Sequence, residues 1–377
     1  MNNYTRRTWA EVDLDALKNN MRNIRNYVGN KTKVLVVVKA DAYGHGAVQT
    51  AKTLISNGAD CLAVAFIDEA EELRNAGISA PVLLLGYTSQ QDVKRVVDAG
   101  VTPTVFSYVL AKDFSDAAMK TGKSVKIHIK TDTGMNRVGF ECNEESIKEI
   151  VKISKLPGIE IEGIFTHFSC ADGESREYTD MQAERFLWIV KRLEKEGIKI
   201  PVKHACNSAG IVRFPEYHFD MVRSGIITYG MPPSDDVDVS PLKLEPAMTF
   251  KGTVSRVFDV AAGEKISYGG TFSPDKDIKA AVVTAGYADG YSRLLSNKAT
   301  VIVNGQPAKV VGRICMDQCI IDVTNVNNIK VEDEVIIAGG QPDCPTSFDF
   351  LAKLCGTISY ELLCLVGKRV PRIYLNG

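Results

Sequence analysis

VLVVVKADAYGHG, residues 34–46, opens with five apolar residues and breaks off at Lys39. Such a run reads as a strand buried on both faces, the kind that fills parallel sheets. Beyond the lysine come an aspartate, a tyrosine and a Gly-His-Gly turn. A buried strand that ends in so much polar chemistry suggests a site at its tip.

Seven further β-rich runs follow: CLAVAF (61–66), PVLLLGY (81–87), VTPTVFS (101–107), VKIHIKTD (125–132), IEGIFTHF (161–168), VKHACNS (202–208) and FDMVRSGI (219–226). Helical patterns lie between most of them. IDEAEELRNAG carries its acids early and ends at Gly77, and TDMQAERFLWIVKRLEKEG ends at Gly197. Strands that alternate with helices predict a parallel sheet. Eight of them in about 200 residues favour a TIM-like (β/α)8 barrel over an open doubly wound sheet, although periodicity does not count closure. After Pro241 long helices give way to successive strands, and Asn304-Gly305 marks a hairpin. The predicted division is therefore a barrel over residues 1–241 and a mostly antiparallel β domain over 242–377.

The 377 residues are 45% hydrophobic and 24% charged, with a net charge of −1. No basic stripe points to nucleic acid or an anionic membrane. The opening MNNYTRRTWAEVDLD has no apolar stretch after its arginines, so no signal peptide is expected. No apolar run approaches the roughly 20 residues of a membrane helix. Nine cysteines stand without a C-x-x-C pair. A zinc or other metal site is not expected, and reduced cytoplasmic thiols are the simpler reading.

In a barrel the C-terminal strand ends converge on one face, where catalytic residues collect. Those ends carry Lys39 with Tyr43 beyond it, then Lys130, Asp132 and Arg137, then His167, then Asn207 and Ser208, then Arg223, Ser224 and Gly225. Taken singly, a strand-end lysine is usually a solvated charge, and a lone histidine is usually structural. Joint placement on one face changes the odds. NSAG (207–210) and RSGI (223–226) offer a hydroxyl and backbone amides where barrels often bind phosphate. A lysine facing phosphate donors and an arginine suits pyridoxal phosphate. A Schiff-base aldolase acting on a sugar phosphate fits the same residues nearly as well.

VVKADAYGHGA resembles the cofactor-lysine motif of the alanine racemases. The likeness continues in order through TWAEVDLDAL, HIKTDTGMNRVGF, THFSCAD, HACNSAG, VRSGIITYG, ISYGGTF, GYADGY, GRICMDQ, TISYELL and RVPRIY. Ser224 departs from the family, which more often has proline there. The resemblance implies an isomerase using pyridoxal 5'-phosphate and two bases to interconvert L- and D-alanine, supplying D-alanine for peptidoglycan. It implies a cytoplasmic homodimer with shared active sites. Lys39 would carry the cofactor and act as one base. Tyr268 would be the other, reaching in from the partner subunit together with Met316. Arg223 would bond the pyridine nitrogen, with His167 packing by the ring and linking Tyr268 towards Arg223. Asn207 would join the cofactor shell, and Tyr43, Ser208, Gly225, Ile226 and Tyr360 would hold the phosphate. Arg137 would contact the cofactor's phenolic oxygen and the substrate carboxylate. Lys130 stands where relatives are often carbamylated, and Tyr287 resembles a gate at the entry channel. A racemase of serine or another small amino acid, a barrel-type basic amino-acid decarboxylase, and a non-catalytic cofactor carrier remain the alternatives.

Overall fold

The computed structural model describes residues 7–377. The first six residues of the stretch read against a signal peptide lie outside that range.

The described residues form two units, one of residues 17–42 and 47–244 and the other of residues 7–16, 43–46 and 245–377. In the first, eight parallel strands are β2 (Lys33–Val37), β3 (Cys61–Val64), β4 (Val82–Leu84), β5 (Thr102–Val105), β6 (Val125–Lys130), β7 (Ile159–Phe165), β8 (Val202–His204) and β9 (Met221–Ser224). They follow one another in the order β8-β7-β6-β5-β4-β3-β2-β9. Each of the eight apolar runs is thus a strand. Asp220 N–H donates to Lys203 O and Arg223 N–H to Cys206 O, so β9 also meets β8 and the sheet curls into a barrel. Helices connect the strands. Glu177–Lys195 buries Phe186, Ile189, Val190 and Leu193 along one face, with acids in its first turn and bases in its last.

In the second unit β10 (Met248–Val260), β11 (Ile278–Val283), β12 (Thr300–Val303), β13 (Gln306–Val310), β14 (Cys319–Asp322) and β15 (Glu334–Ala338) form an antiparallel sheet. The ladder runs β11-β14-β13-β12-β15-β10 and returns to β11, so it closes on itself and leaves no edge there. The predicted hairpin joins β12 to β13, with φ of 51° at Asn304 and 71° at Gly305, both in the left-handed region that such a turn requires.

One strand corrects the sequence division at residue 241. The first strand, β1 (Thr8–Asp13), pairs antiparallel with β10 and parallel with β16 (Arg372–Leu375), so it belongs to the β-rich sheet. Alternation along the chain cannot reveal this, because the partners lie more than 230 residues away and only pairing identifies them.

Candidate active site

Lys39 follows β2, on the same pleat parity as Leu35 and Val37. The backbone then turns the unusual way. Ala40, Asp41, Ala42 and Tyr43 all have φ between 52° and 55°. Each left-handed residue that is not glycine costs roughly 1–2 kcal/mol. The barrel unit holds its part of this turn with side chains. Glu69 accepts the Ala40 N–H at 2.6 Å and the Ala65 N–H at 2.7 Å. Asp41 accepts the Ala47 N–H at 2.7 Å. Hydrogen bonds to a charged acceptor contribute about 1.5–3 kcal/mol each, enough to offset much of the strain. Buried Tyr229 donates its hydroxyl to Val37 O at 2.8 Å and fixes the end of β2 just before the lysine.

Arg223 on β9 is buried. Its Nη2 lies 2.6 Å from Ala205 O, 2.9 Å from Thr166 O and 3.3 Å from His167 Nδ1, and its Nη1 lies 2.9 Å from His204 Nδ1. Burial lowers the guanidinium to about 10, so it stays protonated at neutral pH. Burial, and then the nearby cations headed by Arg223, hold both His167 and His204 well below the usual imidazole range. Neutral imidazoles can accept from the arginine, which can only donate. Gln182 braces the strand end that carries His167, donating to His167 O and accepting from Ser169 N–H.

The loops after β8 and β9 meet. Ser208 Oγ accepts the Gly225 N–H at 3.0 Å, beside Ile226, and Asn207 Oδ1 caps the Gly210 N–H at 2.9 Å. Ser224 bonds Thr228 through its hydroxyl at 2.6 Å. That bond ties the loop after β9 to the turn that follows it. Lys130 is buried at the end of β6, donating to Thr131 O at 2.6 Å and Val138 O at 3.1 Å, and burial lowers its amine to about 8. Arg137 stands exposed on the loop after β6. Against the opposing effect of burial, backbone donors at Gly134, Asn136 and Arg137 hold Asp132 below the usual carboxylate range, and those bonds shape the loop.

The β-rich unit gathers the remaining candidates. Tyr287 N–H bonds Cys315 O and Ala288 N–H bonds Met316 O, while Ser267, next to Tyr268, donates to Arg313 O. The three segments bearing Tyr268, Tyr287 and Met316 are therefore tied together. Glycine is required at 286, because a Cβ there would lie 2.3 Å from Met316 O. Arg369 clamps the same place, with Nε 2.9 Å from Asp289 and Nη2 2.6 Å from Asp317. Tyr268, Met316 and Tyr287 are 70%, 53% and 43% exposed in the single chain. Tyr43 and Tyr360 pack ring to ring at 6.1 Å.

Sequence reasoning missed His204 and Glu69. His204 sits inside VKHACNS and its parity with Cys206 could have flagged it as facing one side of the sheet. Glu69 carried no signal beyond an acid early in a helix.

The donor set fits pyridoxal 5'-phosphate: an amine after one strand, a guanidinium buried with neutral imidazoles, and a hydroxyl with backbone amides at the loops after β8 and β9.

Comparison with known proteins gives a consistent picture. Residues 12–233 match the family model for the alanine racemase N-terminal domain, and residues 247–374 that for the alanine racemase C-terminal domain. The chain is 49% identical over 369 residues to an alanine racemase of Clostridium perfringens, covering 98% of this chain and 95% of that one. It is similar in structure to an alanine racemase of Clostridium difficile 630 (TM-score 0.95, 43% identity, 98% of this chain and 96% of that chain). It is also similar to an alanine racemase of Bacillus anthracis with bound L-Ala-P (TM-score 0.93, 36% identity, 99% and 96%).

Proposed function

The chain belongs to the alanine racemase family, and from that premise we propose how its own residues carry out the reaction. It interconverts L- and D-alanine (EC 5.1.1.1), and the proposal concerns the cofactor, the roles of the residues and the assembly. Pyridoxal 5'-phosphate would be held by Lys39, by Ser208, Gly225, Ile226, Tyr43 and Tyr360 at its phosphate, and by Arg223, Arg137, His167 and Asn207 around its ring. When bound, that group supplies the electron-withdrawing ring that acidifies the substrate α-C–H.

Racemisation removes a proton from one face of the α-carbon and returns one to the other. Lys39 and Tyr268 fill these two positions, each taking the proton on its side and delivering it in the reverse direction. Arg223 would donate to the ring nitrogen of the bound group and keep its own proton, which would limit the electron withdrawal the group supplies and disfavour side reactions that need more of it. Arg137, with Met316, holds the substrate carboxylate. Lys130 takes a carbamate that orients Arg137.

A tyrosine that moves a proton must leave bulk water, yet Tyr268 is 70% exposed in one chain. This supports a homodimer in which the β-rich unit of each subunit serves its partner. The absence of any helix long and apolar enough to cross a membrane among the described residues, and nine free cysteines, support a cytoplasmic enzyme.

The observation that carries the residue roles is the buried Arg223, bonded to neutral imidazoles beside the Ser208–Gly225 loop pair. The test is the enantiomer ratio formed from pure L-alanine. Protein loaded with pyridoxal phosphate should reach equal L and D, and stripped protein should form no D-alanine. D-alanine formed at the same rate by fully stripped protein would remove the cofactor assignment. L-serine and L-lysine run alongside separate this activity from a serine racemase and a decarboxylase.

A further inference from the structure

Arg223 is a buried cation with no carboxylate against it among the described residues. Its bonds go to two carbonyls and two imidazoles. A buried charge without a counter-charge is expensive. Behind it, however, runs a file of side chains inside the barrel. His204 Nε2 lies 2.9 Å from His128 Nδ1, and His128 Nε2 lies 3.6 Å from a Glu162 carboxylate oxygen. The last distance is an electrostatic contact, longer than a formed hydrogen bond.

We propose that Glu162 is a positioning residue of this active site, holding His128 and, through it, His204 in the tautomers that present a bare Nδ1 to Arg223. This deepens the reading of Arg223 given above and rests on it.

The direction of the file is set from both ends, by an arginine that only donates and a carboxylate that only accepts. Arginine only donates, so His204 must accept at Nδ1 and, being neutral, carry its proton on Nε2. His128 must then accept at Nδ1 and carry its proton on Nε2, the nitrogen that faces Glu162. Every N–H in the file points the same way, and the file ends on an anion. Reversing either ring would set two donors or two acceptors against each other. Burial pushes both imidazoles below their usual range, which keeps each of them neutral.

The fold spends two irregularities on this contact. Between β6 and β7 the register passes from Ile127 opposite Ile161 to His128 opposite Gly163, so Glu162 is an extra residue on β7. Such a bulge re-aims a side chain that regular pairing would send elsewhere. The next residue is glycine, and a Cβ there would lie 2.5 Å from the His128 ring. Phe165, two residues on, stacks on His204 with centroids 4.6 Å apart and planes 11° from parallel. Glu162 is itself kept ionised: its contact with His128, with the Lys126 ammonium bonded at 2.7 Å, holds it down to about 2. A simple ion pair between Lys126 and Glu162 would need none of these features, and it would be worth little.

The chain contains five histidines, few enough for each imidazole to be assigned in selectively 15N-labelled holoenzyme. Two-bond proton–nitrogen spectra should show His128 and His204 both neutral and both protonated on Nε2. An Nδ1 proton or an imidazolium at either position overturns the proposal without any variant being made. Because this readout does not depend on racemisation, it can fail while the reading of Arg223 stands. Glu162→Leu should give mixed tautomers at His128 and lower kcat roughly tenfold, the scale seen when a group that orients a ligand histidine is removed. KM should stay within about twofold. Glu162→Gln keeps an acceptor and should restore the tautomer and most of the rate. Lys126→Met, which breaks only the ion pair, should change neither. Wild-type tautomers and rate in Glu162→Leu, or an equal loss in Lys126→Met, would show a merely structural pair and reject the proposal. If the leucine variant does not fold, Glu162→Ala takes its place with the same tautomer and rate outcomes, and the wild-type spectrum can still reject the proposal.

Discussion

The Glu69 carboxylate accepts the Ala40 N–H at 2.6 Å and so grips the backbone immediately after Lys39. Its other oxygen grips Ala65, after β3. A left-handed turn of non-glycine residues needs such an outside hold. Glu69→Ala should lower stability by about 1–3 kcal/mol and slow the capture of added pyridoxal phosphate by Lys39. Glu69→Gln, which keeps one acceptor, should fall between. The checks are thermal unfolding and the growth of cofactor absorbance. Capture at the wild-type rate in the alanine variant would show that the turn holds without Glu69.

Arg223→Leu should destabilise the barrel by about 3 kcal/mol or more, because Ala205 O, Thr166 O and His204 Nδ1 are left as buried acceptors without their donor. Arg223→Lys keeps a charge but presents it as one point, so it cannot reach every partner of the planar fork. It should recover only part of the stability and of the rate. Melting curves of both variants beside racemisation rates provide the measurement.

Tyr268→Phe removes one hydroxyl and nothing else. Under the two-base scheme it should cripple proton removal from one enantiomer more than from the other. Deuterium uptake from heavy water, started separately from L- and D-alanine, should therefore become unequal. Equal uptake rates in this variant would sink the scheme.

Lys39→Ala and Tyr268→Phe should each be inactive or nearly so as purified proteins. If subunits share sites, mixing them under exchange conditions makes dimers with one doubly defective site and one intact site. Activity should return in proportion to the mixed dimer. With exchange shown by labelled subunits and no activity regained, Tyr268 serves its own chain.

Burial brings Lys130 from 10.5 to about 8. Carbamate formation needs the neutral amine, so [13C]bicarbonate should give a carbamate carbon signal that grows from pH 7 to 9. Lys130→Met should abolish it. The linkage has a definite sign. Below about pH 8 the lysine is charged in both states and folding bears the whole cost. Between about 8 and 10.5 the unfolded chain binds more protons, so stability rises with pH. In carbonate-free buffer the wild type should therefore gain on Lys130→Met across that window, by at most roughly 3 kcal/mol. A constant difference would contradict the lowered amine.

The sequence by itself determined the elements and the placement of several chemical groups. Val34–Val38 read as a buried strand with Lys39 at its end, and Asn304-Gly305 as a hairpin turn, and the strand Lys33–Val37 and the β12–β13 hairpin stand there. All of these rest on pleat period and turn chemistry, which act over a few residues. Tertiary structure alone decided that β1 leaves the barrel's sequence neighbourhood to pair with β10 and β16. It also decided that His128, His204 and Arg223 form one file across three strands. The physical reason is register. Which side chains meet across a sheet depends on how the strands slide past each other as the barrel closes, and one inserted residue at Glu162 is enough to shift every pairing after it.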